Sequence, residues 1–461
     1  MSTRRQNTQL ELAFPMRSTG EPECRTDEGP EVPVAEHRTE SLAISEQLME
    51  EILESENLKK ALKRVQANKG APGIDGVTVD ELQDYLRKHW PTMRVQLLEG
   101  TYKPQPVKRV EIPKPNGGTR NLGIPTVVDR WLQQAVLQVL QQQWDPTFSE
   151  HSYGFRPGRS AHQAIAQAQR YVREGFTVVV DLDLEKFFDL VAHDRLMARV
   201  AKRVTDKRVL KLIRAFLKAG VVLADGLVSP TEMGTPQGGP LSPLLSNLVL
   251  DELDQELQRR GHRFCRYADD VNIYVRSVRA GQRVMESISR FITHRLKLRV
   301  NPSKSKVAPA WECEFLGFSI SQGSERKRRI GPKALLRFKD RIRELTRRSR
   351  GVSIHKVVFD LTRYLRGWIG YFGFTDARYV LRDLDSWIRR RLRCFIWKQW
   401  KTFRRRRRGL MERGIAEAPA SQTAARSRGC WSTSRVPPLR RAFPNAYFNS
   451  LGLFRLFVRP A

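Results

Sequence analysis

Cysteine is scarce and scattered: Cys24, Cys265, Cys313, Cys394 and Cys430 are all there is, with no two at two-residue spacing. That argues against a cysteine-based zinc finger and for free thiols in a reducing compartment. Also missing is any apolar run near the ~20 residues that a membrane helix needs. The start, MSTRRQNTQLELAF, has no secretory apolar core. The expectation is a cytoplasmic protein with no membrane partner. Acidic residues are in short supply too, 49 Asp and Glu against 82 Lys and Arg, which leaves +33 on 461 residues. The deficit is uneven, because from Arg326 onward 36 Lys or Arg face 8 Asp or Glu, so this stretch carries +28 of the total. Charge of that density exceeds what solubility needs. It points to a nucleic acid partner, since each phosphate neutralised releases counterions. A membrane surface is the weaker alternative, given interleaved aromatics and no lipidation motif.

Hydrophobic residues make up 40% of the chain, enough for one or two ordinary cores. Residues 1–47 are acidic, rich in Pro, Gly and Ser, and without periodicity, so a disordered tail is expected. Leu48, Ile52, Leu58, Leu62 and Val65 then recur at roughly helical spacing until NKGAPGIDG breaks the pattern. A second helix is expected after Pro125 (Val128, Leu132, Val136, Val139, Leu140) and a third from a Ser160 cap to Gly175. In the centre, FTVVVDLD (176–183) reads as a strand, and helical spacing follows at Leu250, Leu253 and Leu257. HRFCRY and VNIYV form a hairpin about ADD, Val284, Ile288, Phe291 and Leu296 mark another helix, and KLRV closes the series. That order is the split βαβ, ferredoxin-like one: a single antiparallel sheet with its helices on one face.

On this topology the strand period puts Asp181 and Asp183 on one side of the first strand, and the hairpin presents Asp269 and Asp270 at its tip. A lone DD is most often a solvated turn. Carboxylates converging from separate strands are another matter, because they repel unless a cation neutralises them, and hard oxygen ligands select Mg²⁺. Two such ions ~3.5–4 Å apart suit phosphoryl transfer.

Several stretches together resemble the reverse transcriptases encoded by bacterial group II introns. YADD (267–270) resembles the family's palm motif and DLEKFFD (183–189) its first-aspartate motif. GTPQGGPLSP (234–243) resembles the primer and template loop, and NPSKSK and FLGFSI the closing palm motifs. GAPGIDGVT (70–78), VEIPKPNGGTRNLGIP (110–125) and YGFRPGRSAH (153–162) resemble the N-terminal extension and fingers. LRGWIGYF (365–372) and WIRRRLRCFIWKQWK (387–401) resemble the maturase or thumb region. The implied fold is α+β, a right-hand polymerase with fingers, a ferredoxin-like split βαβ palm and a helical thumb. Its implied divisions are a tail (1–47), an N-terminal extension (48–100), fingers (101–175), palm (176–325), thumb or maturase domain (326–403) and a DNA-binding segment (404–461).

The resemblance also implies roles. Asp183 and Asp269 would be the metal pair, with Asp270 completing the catalytic triad; Asp181 would be a neighbour, although spacing alone leaves it open as a ligand. Phe188 falls where the family has an aromatic that packs under the incoming sugar, though a plain core role for it is equally compatible with the pattern. Lys114 and Arg120, flanking the PNGG turn, would hold the triphosphate, Gln237 a base edge or sugar, and Lys304 the nucleotide. The glycines beside Gln237 would let the backbone approach nucleic acid. The substrates would be dNTPs, and the cofactor two Mg²⁺ ions.

In the basic region, two amphipathic helices are expected. Leu335, Phe338, Ile342 and Leu345 point inward on one, and Leu381, Leu384, Ile388, Leu392 and Phe395 on the other. Their cationic faces would grip an RNA template/DNA primer duplex through its phosphates. The run Arg404, Arg405, Arg406, Arg407 and Arg408 would be a hinge or a nucleic-acid-binding run. AEAPASQTAARSRG beyond it is low in order signals. With no endonuclease-like cysteine pairs at the end, the chain resembles the endonuclease-lacking, class C type. The implied partners are the group II intron RNA, in a ribonucleoprotein, and a DNA target, with association to the bacterial nucleoid when DNA is bound. The implied function is copying intron RNA into DNA during retrohoming and assisting splicing. The rivals are a related enzyme adopted for host defence or spacer acquisition, and a maturase that only binds RNA. LRGWIGYF speaks against the first, and the three aspartates against the second.

Overall fold

A computed structural model describes residues 47–113, 119–222, 227–229, 233–234 and 238–457. The tail expected over 1–47 lies outside the described residues but for Gln47. The chain opens with α1 (Leu48–Ile52), α2 (Ser55–Ala67) and α3 (Leu82–Glu99), the last stopped by Gly100 at φ +68°. Strands β1 (Val107–Pro113) and β2 (Thr119–Ile124) pair antiparallel, and α4 (Val127–Trp144) follows a Thr126 cap that accepts the Asp129 N–H. Ser160 and Gln163 form the reciprocal capping box that starts α5 (Ala161–Arg173), so the hydroxyl expected to begin this helix does so.

Strand β3 (Val178–Asp183) leads into α6 (Phe187–Leu190), α7 (His193–Ala201) and α8 (Lys207–Lys218). The two-residue strands β4 (Val221–Val222) and β5 (Val228–Ser229) extend the β1–β2 pair to the order β2-β1-β4-β5. Next come α9 (Ser242–Arg259), β6 (Arg263–Tyr267), β7 (Asp270–Val275), α10 (Val278–Phe291) and β8 (Lys306–Pro309). The central sheet has the order β6-β7-β3-β8, every neighbour antiparallel, with β3 and β7 at its middle. This is the ferredoxin-like order, with α6 to α9 filling its first crossover.

Two expectations about this sheet need correction. KLRV is not the closing strand. Lys297, at φ +57°, ends a π-helical turn, and Arg299 to Asn301 run antiparallel past the end of β3, where Glu185 N–H donates to Arg299 O and Asn301 N–H to Asp183 O. The chain then bulges at Pro302–Ser305 before ladder pairing resumes at Lys306↔Asp181 in β8. Nor do helices cover one face alone. Val178, Val180, Leu182, Phe264, Val271 and Ile273 pack with α9 and α10, whereas Val179, Cys265 and Tyr274 pack on α5 from the opposite side. Both faces of these strands are apolar at that end, so each needs a cover.

A short pair, β9 (Phe318–Ile320) and β10 (Arg328–Ile330), precedes a run of helices: α11 (Pro332–Leu345), α12 (Ile354–Phe372), α13 (Arg378–Gln399), α14 (Phe403–Met411), α15 (Glu417–Ala424), α16 (Cys430–Thr433), α17 (Pro437–Ala442) and α18 (Asn445–Ser450). The stripe expected on α13 is buried throughout, whereas Leu335 on α11 is only half-buried. The arginine run is no hinge. It forms α14, capped by Thr402, and AEAPASQTAARSRG, read as poor in order, contains α15, which packs by Ala420 and Ala424. One apolar cluster extends from Ile330 through Trp397, Trp400 and Leu410 to Phe448 and Leu456, so buried side chains on both sides of residue 404 share a core.

Candidate active site

Asp183 ends β3 and stands in register with Asp270, the first residue of β7; Asp181 is paired with Asn272, and Val179 with Tyr274. Cross-strand partners share a face and alternate residues return to it, so these six side chains form one row. The row is apolar at Val179 and Tyr274, both nearly inaccessible, and acidic at the end where the β6–β7 hairpin turns. Tyr267↔Asp270 is the last pair of that hairpin, so its loop is Ala268 and Asp269 alone, with Ala268 at φ +57°. A loop this short brings Asp269 and Asp270 to the same edge as Asp183.

The edge is crowded with like charge. The Asp270 carboxyl is pushed up to about 7, first by desolvation and then by the charges of Asp269, Asp181 and Asp183, against which Lys304 works. Its side chain is exposed to water, which relieves part of that desolvation and leaves the neighbouring carboxylates as a substantial cause of the rise. Asp181 is pushed up to about 6 by burial, with Lys306 opposing and Asp183 reinforcing; with its amide turned to donate, Asn272 reaches Asp181 Oδ1 at 3.1 Å. Lys304 Nζ lies 3.5 Å from Asp183 Oδ2. The bulge puts it there. Asn301 Oδ1 accepts the Ser303 N–H and hydroxyl, Ser305 Oγ accepts the Asp183 N–H, and the extra residues project Lys304 back over the strand end.

One ammonium does not balance three carboxylates, and the surplus negative charge suits a divalent cation. Among the described residues no three acidic, His or Cys side chains form a closed metal cluster. An open set suits Mg²⁺, which commonly takes one or two carboxylates and fills its remaining positions with substrate phosphates and water.

With this geometry in view, the similarities are specific. Residues 112–320 match the family described as reverse transcriptase (RNA-dependent DNA polymerase), and residues 335–414 match the group II intron, maturase-specific domain. Protein YkfC of Escherichia coli is 35% identical over 302 residues, covering 57% of this chain and 79% of that protein. The chain belongs to the group II intron reverse transcriptases. The group II intron-encoded protein LtrA of Lactococcus lactis is 35% identical over 248 residues, 54% of this chain but only 40% of LtrA. A chain of the solved partial Cas6-RT-Cas1–Cas2 complex aligns at 24% identity and a TM-score of 0.35, over 54% of this chain and 42% of that one. Nucleotide substrates, divalent metal use and intron RNA binding come with membership of this family. Among the described residues no helix is long and apolar enough to cross a membrane.

The remaining residues singled out in this reverse transcriptase fall into three groups. Phe188 lies on α6, half-buried, its ring edge-on to the buried Phe187 at 5.2 Å. Lys114 and Gln237 lie outside the described residues; Arg120 is in β2 opposite Ile112, and its side chain is likewise outside them. Among described residues, the glycines of the GTPQGG loop approach protein: a Cβ at Gly238 would stand 2.4 Å from Gly123 O, and one at Gly234 2.9 Å from Phe188 O. Of the arginine run, Arg404, Arg405 and Arg408 are exposed. Arg406 donates to Trp400 O at 2.8 Å and stacks on Trp397, and Arg407 pairs with Glu417.

Sequence reasoning missed the groups beneath the hairpin. Arg266, Asp254 and Asn247 are all essentially inaccessible, and Arg266 donates to both of the others. A signal was available. Asn247, Asp251 and Asp254 are polar residues at the buried spacing of a helix whose buried face is mostly Leu and Val, a pattern that demands a polar partner.

Proposed function

We propose that this reverse transcriptase copies its group II intron RNA into DNA with two Mg²⁺ ions and, as a ribonucleoprotein, binds that RNA to assist splicing. The observation that supports the polymerase reading is the row of carboxylates on one face, Asp183 opposite Asp270 with Asp269 in the intervening loop. In this reading Asp183 and Asp269 hold the metals and Asp270 completes the catalytic triad. Magnesium bound there would supply the positive charge that stabilises the attacking and leaving oxygens of phosphoryl transfer. Lys304, 3.5 Å from Asp183, would pass from the carboxylate to a phosphate oxygen of the incoming nucleotide. Phe188 would then wall the sugar, Lys114 and Arg120 would hold the triphosphate, and Gln237 a base edge or sugar.

The finer assignments follow from the resemblance of the motifs and, in the basic C-terminal region, from charge. Palm over 176–325 and fingers over 101–175 would enclose the nucleotide. The thumb over 326–403 would grip the template–primer duplex through phosphates, and residues 404–461 the DNA target, carrying the complex to the nucleoid. The test is extension of a DNA primer on an RNA template with and without Mg²⁺. Asp269→Asn is expected to lower incorporation by about 10³-fold or more, because one metal site loses its charge. Undiminished extension by that variant sinks the assignment. Sequencing of RNA that co-purifies with the protein tests the intron partner separately.

A further inference from the structure

Below the catalytic hairpin lies a buried ionic cluster to which the chemistry just described assigns nothing. Arg266, on β6 two residues before Ala268, is 0% exposed, as is Asp254 on α9. Its guanidinium donates to Asp254 Oδ1 at 2.8 Å and Oδ2 at 2.6 Å, to Asn247 Oδ1 at 3.0 Å and to the carbonyl oxygen of Ala268 at 3.0 Å. Asn247 in turn donates to Gly154 O at 2.9 Å. Gly154 belongs to the strand-like segment beside β6, where Arg266 N–H donates to His151 O and Tyr153 N–H to Arg266 O. A Cβ on Gly154 would stand 2.3 Å from the Ala268 nitrogen. The two-residue loop is therefore held at its carbonyl from below and at its backbone from the flank.

Stability alone is a poor reason for such a cluster. Apolar residues of similar volume in place of a buried ion pair are often neutral or stabilising. The loop, by contrast, has a specific need. Ala268 occupies the left-handed region at φ +57°, which a residue with a Cβ disfavours. A peptide free to rotate there would swing Asp269 away from Asp183, whereas a fixed donor on the Ala268 carbonyl selects one peptide orientation.

We infer that Arg266, with Asp254 and Asn247 as its supports and Gly154 as its flank, is a positioning residue that holds the Ala268 peptide so that Asp269 and Asp270 face Asp183. The inference rests on the polymerase reading of those aspartates. Arg266 touches no substrate; it acts through the loop.

The experiment uses the full chain on a pre-annealed primer and template. Arg266→Met/Asp254→Leu removes both buried charges together, so neither is stranded. The expected result is a cooperative thermal transition, primer–template Kd within about twofold of wild type, and kcat for single-nucleotide addition lower by ~100-fold, the scale of an ångström misplacement. Amide hydrogen exchange at Ala268 to Val271 is expected to quicken, a readout independent of turnover. Arg266→Lys keeps the charge without the fork, and is expected to restore only part of kcat. Gly154→Ala presses on the same loop from the other side and is expected to lower kcat with Kd unchanged. Wild-type kcat together with unaltered hairpin exchange in the double variant overturns the inference. Should that variant fail to fold, folded Gly154→Ala with wild-type kcat and exchange overturns it instead. Extension surviving Asp269→Asn would sink the polymerase reading, yet the exchange measurement would still report whether Arg266 holds the loop.

Discussion

Replacing Arg404, Arg405 and Arg408 by Gln, while keeping Arg406 and Arg407, separates arginines that can meet RNA from arginines that build the fold. The sequence offers five equivalent cations, and five lost phosphate contacts would flatten the slope of log K against log salt by about 3.5–4.5 units, at 0.7–0.9 per contact. The structure reduces that number. Arg406 is bound to Trp400 O and stacked on Trp397, and Arg407 is paired with Glu417, which leaves three exposed arginines in the run. Even of these, Arg405 lies 3.7 Å from Glu412 across an exposed pair, too weak to withhold it from a phosphate. Three contacts correspond to about 2–3 units of slope, so the affinity lost between 50 and 200 mM salt should be smaller than wild type's by roughly 20- to 40-fold. The assay is intron RNA binding over a salt series, alongside extension of a pre-annealed primer at low salt, which should persist. The complementary Arg406→Gln/Arg407→Gln variant should lower the thermal midpoint and change the slope by less than about one unit. An unchanged slope in the triple variant, or a larger change in the double one, refutes this division of the run. Loss of extension with RNA affinity and slope intact would assign α14 to the catalytic grip.

Other expected outcomes are more local. Phe188→Ala should raise the ratio of rNTP to dNTP kcat/KM with RNA affinity unchanged; an unaltered ratio returns Phe188 to the core with Phe187. Asp376 accepts from Arg328 N, Nε and Nη2 at 2.6–3.0 Å and from Gln169, and although burial works against it these hydrogen bonds hold its carboxyl down at about 2. A depressed folded-state pKa stabilises above the unfolded value and is lost as pH falls through the folded one. Asp376→Asn should therefore cost about 2 kcal/mol near neutrality, and the gap in thermal midpoint from wild type should close between about pH 4 and pH 2. A gap that does not vary with pH contradicts this. Gly281→Ala puts a Cβ 2.5 Å from Val307 Cγ1, where α10 lies on β8, and should destabilise by about 1–3 kcal/mol in urea unfolding.

Local chemistry carried much of the design in legible form. The Ser160 cap, the helix after Pro125, the buried stripe of α13 and the hairpin about ADD each depend on contacts between residues close in sequence, so composition and spacing suffice to read them. The acidic constellation was legible as well, because two motifs, DLEKFFD and YADD, name Asp183, Asp269 and Asp270. α8 was readable in principle from Val209, Leu212, Ile213, Phe216 and Leu217, which form its buried stripe. The edge strand was misread for a different reason. KLRV and KVAP are equally apolar, and only the backbone turn at Lys297 and the bulge at Pro302–Ser305 determine which one enters the ladder.

What the sequence determined by itself is the kind of protein: a basic polymerase of the reverse transcriptase type, with its carboxylates at a strand end and a hairpin turn. The basic character and the place of the carboxylates follow from charge, period and turn chemistry within a few residues, whereas the polymerase type follows from the resemblance of the ordered motifs. Tertiary structure alone decided which cations face solvent, which glycines meet protein backbone, and that Arg266 reaches through Asp254, Asn247 and Ala268 to the loop carrying Asp269. These are contacts between residues up to more than a hundred positions apart, such as Gly154 on Ala268. No local pattern encodes them, because the energy of a buried charge depends on what surrounds it once the chain has closed.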